Sequence, residues 1–407
     1  MVRLLTVNQR VLGSSPKGGA KKAYIRVSLL YFYTMLFPKK LIQKISSRKE
    51  DTSLRSLGSQ THLIDFSSND YLGYAKSDLI FDQTHQFLLD KNIKQNGATG
   101  SRLLSGNHNL YTSTEKELCE FYNSKAGLIF NSGYDANIGL FSSVPQRGDI
   151  ILYDEVIHAS IRDGIQLSNA KSYKFKHNDL IHLEELLKRF QQENNHIYVV
   201  TETVFSMDGD SPDLITLVKT CKKNNAYLIV DEAHAVGLFN KGLVEKLNLE
   251  NDVFARIITF GKALGCHGAV VLSSNELKQY LINFARSFIY TTGLSPHSLA
   301  TIKFAHLALT ESNSSELLQQ NVSFFNREVK RLNLKFIKSN SAIHCCIIPG
   351  NEKVKSVAKN LKEKGFDVKP ILSPTVTKGE ERLRFCLHSY NSKQEITNIL
   401  EHLAIFV

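Results

Sequence analysis

The stretch AYLIVDEAHAVG, residues 226–237, sets Asp231, Glu232 and His234 within four positions, directly after a run that reads as a buried strand. A carboxylate and an imidazole at such a place can ligate a metal, cap a helix, form an ion pair or hold a protonated ring nitrogen. Neighbours on a regular strand point to opposite faces, so Asp231 and Glu232 cannot enter one site together. With no HExxH pattern and no cysteine partner nearby, no metal is expected. A second stretch, TFGKALGCHG at 259–268, places Lys262 after the apolar RIITF and among small residues. Keeping water from an ammonium favours the neutral amine, the form that makes an imine with an aldehyde.

A third stretch, NSGYDAN at 131–137, follows an apolar strand and opens a helix at about Tyr134, so that backbone N–H groups can face an anion. Each stretch alone has a plainer reading: an ion pair for Asp231, a solvated end for Lys262, a tight turn for the glycine. Together, in this order, they point to pyridoxal phosphate (PLP) held as an imine on Lys262. Asp231 would keep the pyridinium nitrogen protonated, and His234 would contact the ring oxygen. The glycine-rich NGATGSRLLSGN, residues 96–107, lacks both the Gly-Lys-Ser/Thr ending of a phosphate loop and the G-x-G-x-x-G of a dinucleotide turn.

The elements that must position these groups alternate from about residue 97. Helical NLYTSTEKELCEFYN is followed by apolar AGLIFNSG, DIILYD, helical DLIHLEELLKRFQQE, HIYVVTETVF, helical DLITLVKTCKKNN, AYLIVDE and RIITFGK. This order predicts an α/β fold with a mostly parallel sheet covered on both faces, and a site outside the carboxyl ends of its strands, where Asp231, Ser206 and Lys262 fall. Residues 295–335 read as helical. A small α/β unit of strand, helix, extended FDVKPI, strand and helix then closes the chain.

The 407 residues, 42% hydrophobic, can bury a large core in more than one domain. The net charge of +11 is local. No acid precedes Glu50, and 11 of the 50 Lys and Arg lie in residues 1–49, leaving 39 basic against 39 acidic residues. The neutral body argues against a nucleic-acid binder, although the arm itself could be one. A targeting peptide, a solvated tail or a start at Met35 also accounts for it. Its apolar run VSLLYFYTMLF, residues 27–37, is shorter than the roughly 20 residues a membrane helix needs. Cysteines 119, 221, 266, 345, 346 and 386 show no CxxC and no disulfide density, so a cytoplasmic location is expected.

From about Arg55 to the C-terminus the chain resembles the α-oxoamine synthase family of fold type I PLP enzymes. The resemblance rests on DFSSNDYLGY, GATGSRLLSGN, NSGYDAN, VIHAS, TETVFSMDGD, VDEAHAVG, TFGKALG and SPTVTKGEERLRF. It implies a large, seven-stranded-type sheet domain over 97–294, preceded by a segment 50–96 and followed by a small domain over 295–407. It implies that Lys262 carries the cofactor, Asp231 pairs with its ring nitrogen and His158 stacks on its face. Gly133, Tyr134 and Thr259 would hold the phosphate side, while Ser206 and His234 would bond to the cofactor. Thr292 would reach the phosphate in a second subunit of a homodimer. On the substrate side, Arg384 would fork onto the amino-acid carboxylate, with Asn69, Arg55, His158 and Thr375 as further contacts. The implied reaction is decarboxylative condensation of L-alanine with a pimeloyl thioester, on coenzyme A or a carrier protein, in biotin synthesis. A sister activity using glycine or serine with another acyl group is the alternative. Leu372 stands where several members carry an arginine, which leaves Arg55, Lys369 or solvent to meet the acyl carboxylate.

Overall fold

The computed structural model describes residues 37–58, 62–191 and 195–407. Twelve strands are present among them. They are β1 (Ile64–Asp65), β2 (Ala126–Phe130), β3 (Ile150–Asp154), β4 (Lys171–Phe175), β5 (Ile197–Glu202), β6 (Tyr227–Asp231), β7 (Ala255–Thr259), β8 (Ala269–Ser273), β9 (Ile343–Ile347), β10 (Phe366–Asp367), β11 (Lys369–Ile371) and β12 (Arg382–Cys386). Seven form the main sheet in the order β2-β8-β7-β6-β5-β3-β4. The chain is a fold type I α/β protein. Only β8 runs against its neighbours, pairing antiparallel with both β2 and β7.

Two strands of this sheet, β4 and β8, are missing from the sequence pattern. KSYKF in β4 has just one buried residue, because it lies at the sheet edge, and so lacks the apolar run that marks a central strand. AVVLS in β8 follows Lys262 too closely for a helical crossover, which fits its antiparallel direction.

The central strands are apolar on both faces, as a sheet covered by helices requires. Val200, Ile229 and Ile257 enter one core cluster, while Val199, Leu228 and Val230 enter the cluster on the other face. Burying each such side chain stabilises by about 1.5–3 kcal/mol, which holds the sheet rigid beneath the site. Register then sets the chemistry, since Glu202 on β5 is paired with Asp231 on β6, and Asp231 with Ile257 on β7. The carboxyl ends of β3, β5, β6 and β7 therefore present Asp154, Glu202, Asp231 and Thr259 in a row.

Residues 51–407 make one compact unit, in which the segments expected at 50–96, 97–294 and 295–407 interlock. Strand β1 pairs in parallel with β10, and helix Asp78–Asp90 packs against helix Pro296–Glu311. β9, β11 and β12 form a three-stranded antiparallel sheet that carries Arg384. The unit before Asp51 contributes one described helix, Lys39–Glu50, without a buried residue. Met35 and residues 27–36 of the apolar run lie outside the described residues. No helix among the described residues is long and apolar enough to cross a membrane.

Candidate active site

Asp231 ends β6 nearly buried, at 5% exposure, and two neighbours fix its carboxylate. Oδ2 accepts from Asn137 Nδ2 at 2.9 Å, and Oδ1 accepts from the Ala233 N–H at 2.9 Å. Glu232 turns the other way, into a buried pair with Arg256 Nη2 at 2.7 Å, and also accepts from the Leu243 and Val244 N–H groups. The alternation expected of a strand has divided one acidic pair between chemistry and framework.

Lys262 Nζ lies 2.7 Å from His234 Nε2. Burial lowers the lysine to about 8, against the pull of Asp231 and Glu202 toward the charged form. His234 is pushed well down, by burial and then by the charge of Lys262, so it is a neutral imidazole. Its Nδ1 meets the Tyr71 hydroxyl at 2.7 Å, and that hydroxyl donates to Asn69 Oδ1 at 3.1 Å. Arg384 Nη2 donates to the same oxygen at 3.1 Å. Every member is satisfied when His234 carries its proton on Nδ1 and accepts from Lys262 at Nε2. A single polar chain thus joins Lys262 to Arg384.

Arg384 is only 7% exposed, unlike a surface strand residue, and its Nε donates to the Ser206 carbonyl at 2.7 Å. Ser206 is itself buried, in the loop after β5. That loop turns at Gly209, whose φ of +75° lies in the left-handed region, and a Cβ there would strike the Ile343 carbonyl. His158 caps helix Ala159–Gln166 through Nδ1, which accepts from the Ser160 N–H at 3.2 Å. Burial and then Lys262 push it below its usual range. Its own N–H donates to Glu202 Oε1 at 2.5 Å, and Glu202 is raised to about 8 by burial and by the nearby Asp231.

The anion-binding turn begins one residue earlier than expected. Ser132 caps helix Gly133–Ser143, accepting from the Asp135 N–H. The N–H groups of Gly133 and Tyr134 have no partner among the described residues, and a Cβ on Gly133 would collide with Thr259 Oγ1. A hydroxyl and two free amides thus meet at a helix start, the donor set a phosphate needs. With Lys262 for the aldehyde and Asp231 for the ring nitrogen, the residues fit PLP. Thr292 is exposed, with its carbonyl on Asn131 Nδ2, and no hydrogen bond among the described residues joins it to Lys262 or Asp231. Arg55 Nη2 donates to Thr375 Oγ1 at 3.2 Å, so these two expected contacts are joined at the rim.

Sequence reasoning passed over Asn137, Tyr71, Glu202 and His177. The first three stood inside recognised motifs, but nothing local showed that Asn137 would support Asp231, that Tyr71 would support His234 or that Glu202 would lie beside both Asp231 and His158. His177 Nδ1 and Nε2 lie 2.9 Å from Asp154 and Asp210. Burial pulls this imidazole down, yet the two carboxylates raise it to about 10. His177, Asp208 and Asp210 offer ligand atoms within 4.8 Å of one another. Asp208 is already paired with Arg382, and both His177 nitrogens are engaged, so the group is an ion network.

Residues 61–403 match the model of the family described as aminotransferase class I and II. An 8-amino-7-oxononanoate synthase of Emericella nidulans is 39% identical, covering 84% of this chain and 89% of its own. A putative 8-amino-7-oxononanoate synthase of Haemophilus influenzae is 34% identical, covering 90% and 99%. The chain belongs to the α-oxoamine synthase family. Among solved structures, an 8-amino-7-oxononanoate synthase from Francisella tularensis superposes with a TM-score of 0.72 at 30% identity, covering 84% of this chain and 97% of that one. A serine palmitoyltransferase from S. paucimobilis with bound PLP and myriocin gives 0.82 at 25%, covering 90% and 96%. This α-oxoamine synthase is a PLP-dependent acyltransferase.

Proposed function

We propose that the enzyme condenses L-alanine with a pimeloyl thioester, on coenzyme A or a carrier protein, releasing carbon dioxide and giving 8-amino-7-oxononanoate for biotin synthesis. The observation that carries the reading is the polar chain from Lys262 through His234, Tyr71 and Asn69 to Arg384, which sets a proton-transferring amine and a carboxylate anchor in one enclosure. The relatives of like length, all named for this activity, support the choice of substrates.

Arg384 presents its planar fork to the amino-acid carboxylate, its orientation set by the Ser206 carbonyl and Asn69. Lys262, brought to about 8 by burial, is poised to take the α-proton near neutral pH. PLP supplies the protonated ring into which the electron pair left on the α-carbon delocalises. Asp231, held by Asn137 and the Ala233 N–H, keeps a proton on the ring nitrogen. Ser206 and His234 would bond to the cofactor, His158 would lie against it, and Gly133, Tyr134 and Thr259 would hold its phosphate.

The working form in this reading is a cytoplasmic homodimer, in which Thr292 reaches the second subunit's phosphate. Support comes from Leu104 and Tyr290, exposed by 84% and 72%. They flank the Gly100–Gly293 backbone contact beside Thr292, leaving apolar surface for a partner. The six free cysteines suit a reducing compartment.

The test offers L-alanine, glycine or L-serine with short, pimeloyl or long-chain thioesters. L-alanine with pimeloyl is expected to lead by at least roughly tenfold in kcat/KM, about 1.4 kcal/mol of discrimination. A lead for serine with a long-chain thioester, or for glycine with a short one, defeats the substrate assignment.

A further inference from the structure

A cleft of about 700 Å³ is lined by His158 and Ser206 of the site. Val156, Ile157, Met207, Pro374 and Val376 give it an apolar wall suited to methylene groups. Three cations line it: Arg162, Lys378 and Arg382. They differ in how far their charge is already answered. Arg382 is paired with Asp208 and lies 3.7 Å from Glu380, so it has little attraction left for an incoming anion. Lys378 is exposed, where water screens it.

Arg162 is half-buried and has no carboxylate partner among the described residues. Its Nε donates to the Ile157 carbonyl at 3.2 Å and its Nη2 to the Glu155 carbonyl. Two backbone oxygens fix the plane of the guanidinium without neutralising it, and Nη1 has no partner among the described residues. The candidates open at the sequence level are otherwise engaged or set apart. Lys369 Nζ is paired with Asp367 at 3.0 Å, and the Leu372 side chain packs on the hydrophobic core. Arg55 is exposed at the rim on Thr375.

Resting on the acyl reading above, we propose that Arg162 selects the acyl chain by receiving its distal carboxylate in this cleft. A carboxylate at the end of an apolar chain must keep a strong partner when it leaves water, and a charged hydrogen bond from a pre-oriented, partly dehydrated guanidinium is such a partner. The same guanidinium could instead meet a phosphate of coenzyme A, so the test holds the coenzyme constant.

Holoenzyme and Arg162→Gln are compared with pimeloyl-CoA and heptanoyl-CoA, which differ in the distal carboxylate. Wild type is expected to favour pimeloyl-CoA by roughly tenfold to a hundredfold in kcat/KM, the range of one charged hydrogen bond. In Arg162→Gln the preference should fall to within about threefold, with KM for L-alanine and the visible cofactor absorbance unchanged, which also shows that the variant folds. An equal loss for both thioesters would mark a phosphate contact and overturn the assignment. A pimeloyl preference that survives in Arg162→Gln overturns the role of Arg162 alone. A wild-type preference for heptanoyl-CoA overturns the acyl reading together with this inference.

Discussion

Lys262 Nζ and His234 Nε2 lie 2.7 Å apart, and the imidazole is the acceptor of the pair. A neutral histidine beside the lysine adds no second positive charge, so the amine can be lowered to about 8 without being driven further by its closest neighbour. Lys262→Ala is expected to fold, to lose the visible absorbance of lysine-bound cofactor and to lose at least about a thousandfold in turnover, the scale of a removed general base with its covalent role. Retention of the wild-type band in the purified variant would remove Lys262 from that role.

Asp231→Asn should keep PLP and lose rate. A neutral amide cannot hold the ring nitrogen protonated, and an ionic partner at a developing charge contributes roughly a hundredfold or more. The check is exchange of the alanine α-proton with solvent in the absence of thioester. Exchange within a few-fold of wild type would show that the ring does not rely on Asp231.

Glu232→Gln separates framework from chemistry one residue further on. Arg256 and Glu232 are buried to 2% and 0% exposure, so removing one charge strands the other. A loss of about 3–5 kcal/mol in stability is expected, read by denaturant titration, while bound PLP keeps its absorbance. A variant as stable as wild type would mean that water or rearrangement answers Arg256.

His177 makes a pH prediction whose sign follows from its position between Asp154 and Asp210. Its folded-state value, about 10, lies above the ordinary 6.5, so its contribution to stability is full below about pH 6.5 and fades as pH rises toward 10. The Tm gap between wild type and His177→Gln should therefore be several degrees at pH 6 and shrink steadily by pH 9.5. A gap that widens with pH would contradict a charged imidazole in this network.

The large sheet, its parallel core and the placement of Asp231, Lys262 and the Gly133 turn at its carboxyl edge were legible because each depends on residues close together in the chain. Apolar runs mark strands, and a parallel sheet places their carboxyl ends on one edge. What stayed hidden was contact across long separations. Arg384 is 178 positions from the Ser206 carbonyl that orients it, and 315 from Asn69. The motif wording pointed to Arg384, but no periodicity could bring it beneath the loop after β5. Strand β8 escaped for a different reason, since a five-residue apolar run without a helical crossover resembles any buried segment.

Arg384 also supplies the sharpest test of the amino-acid end. Its Nε, Nη1 and Nη2 meet the Ser206 carbonyl, Cys386 Sγ and Asn69 Oδ1 at 2.7, 2.9 and 3.1 Å. These contacts fix the guanidinium plane before substrate arrives, so little orientational freedom remains to be lost on binding. Arg384→Lys keeps the charge but cannot hold that plane or offer two parallel donors to a carboxylate. KM for L-alanine should rise by roughly tenfold to a hundredfold, the worth of one charged hydrogen bond, while KM for the thioester changes little. Because Asn69 links Arg384 to Tyr71 and His234, Asn69→Ala should raise KM for L-alanine in the same direction by a smaller factor. A larger change for the thioester than for L-alanine in Arg384→Lys would move this arginine to the acyl end and leave the amino-acid carboxylate without its anchor.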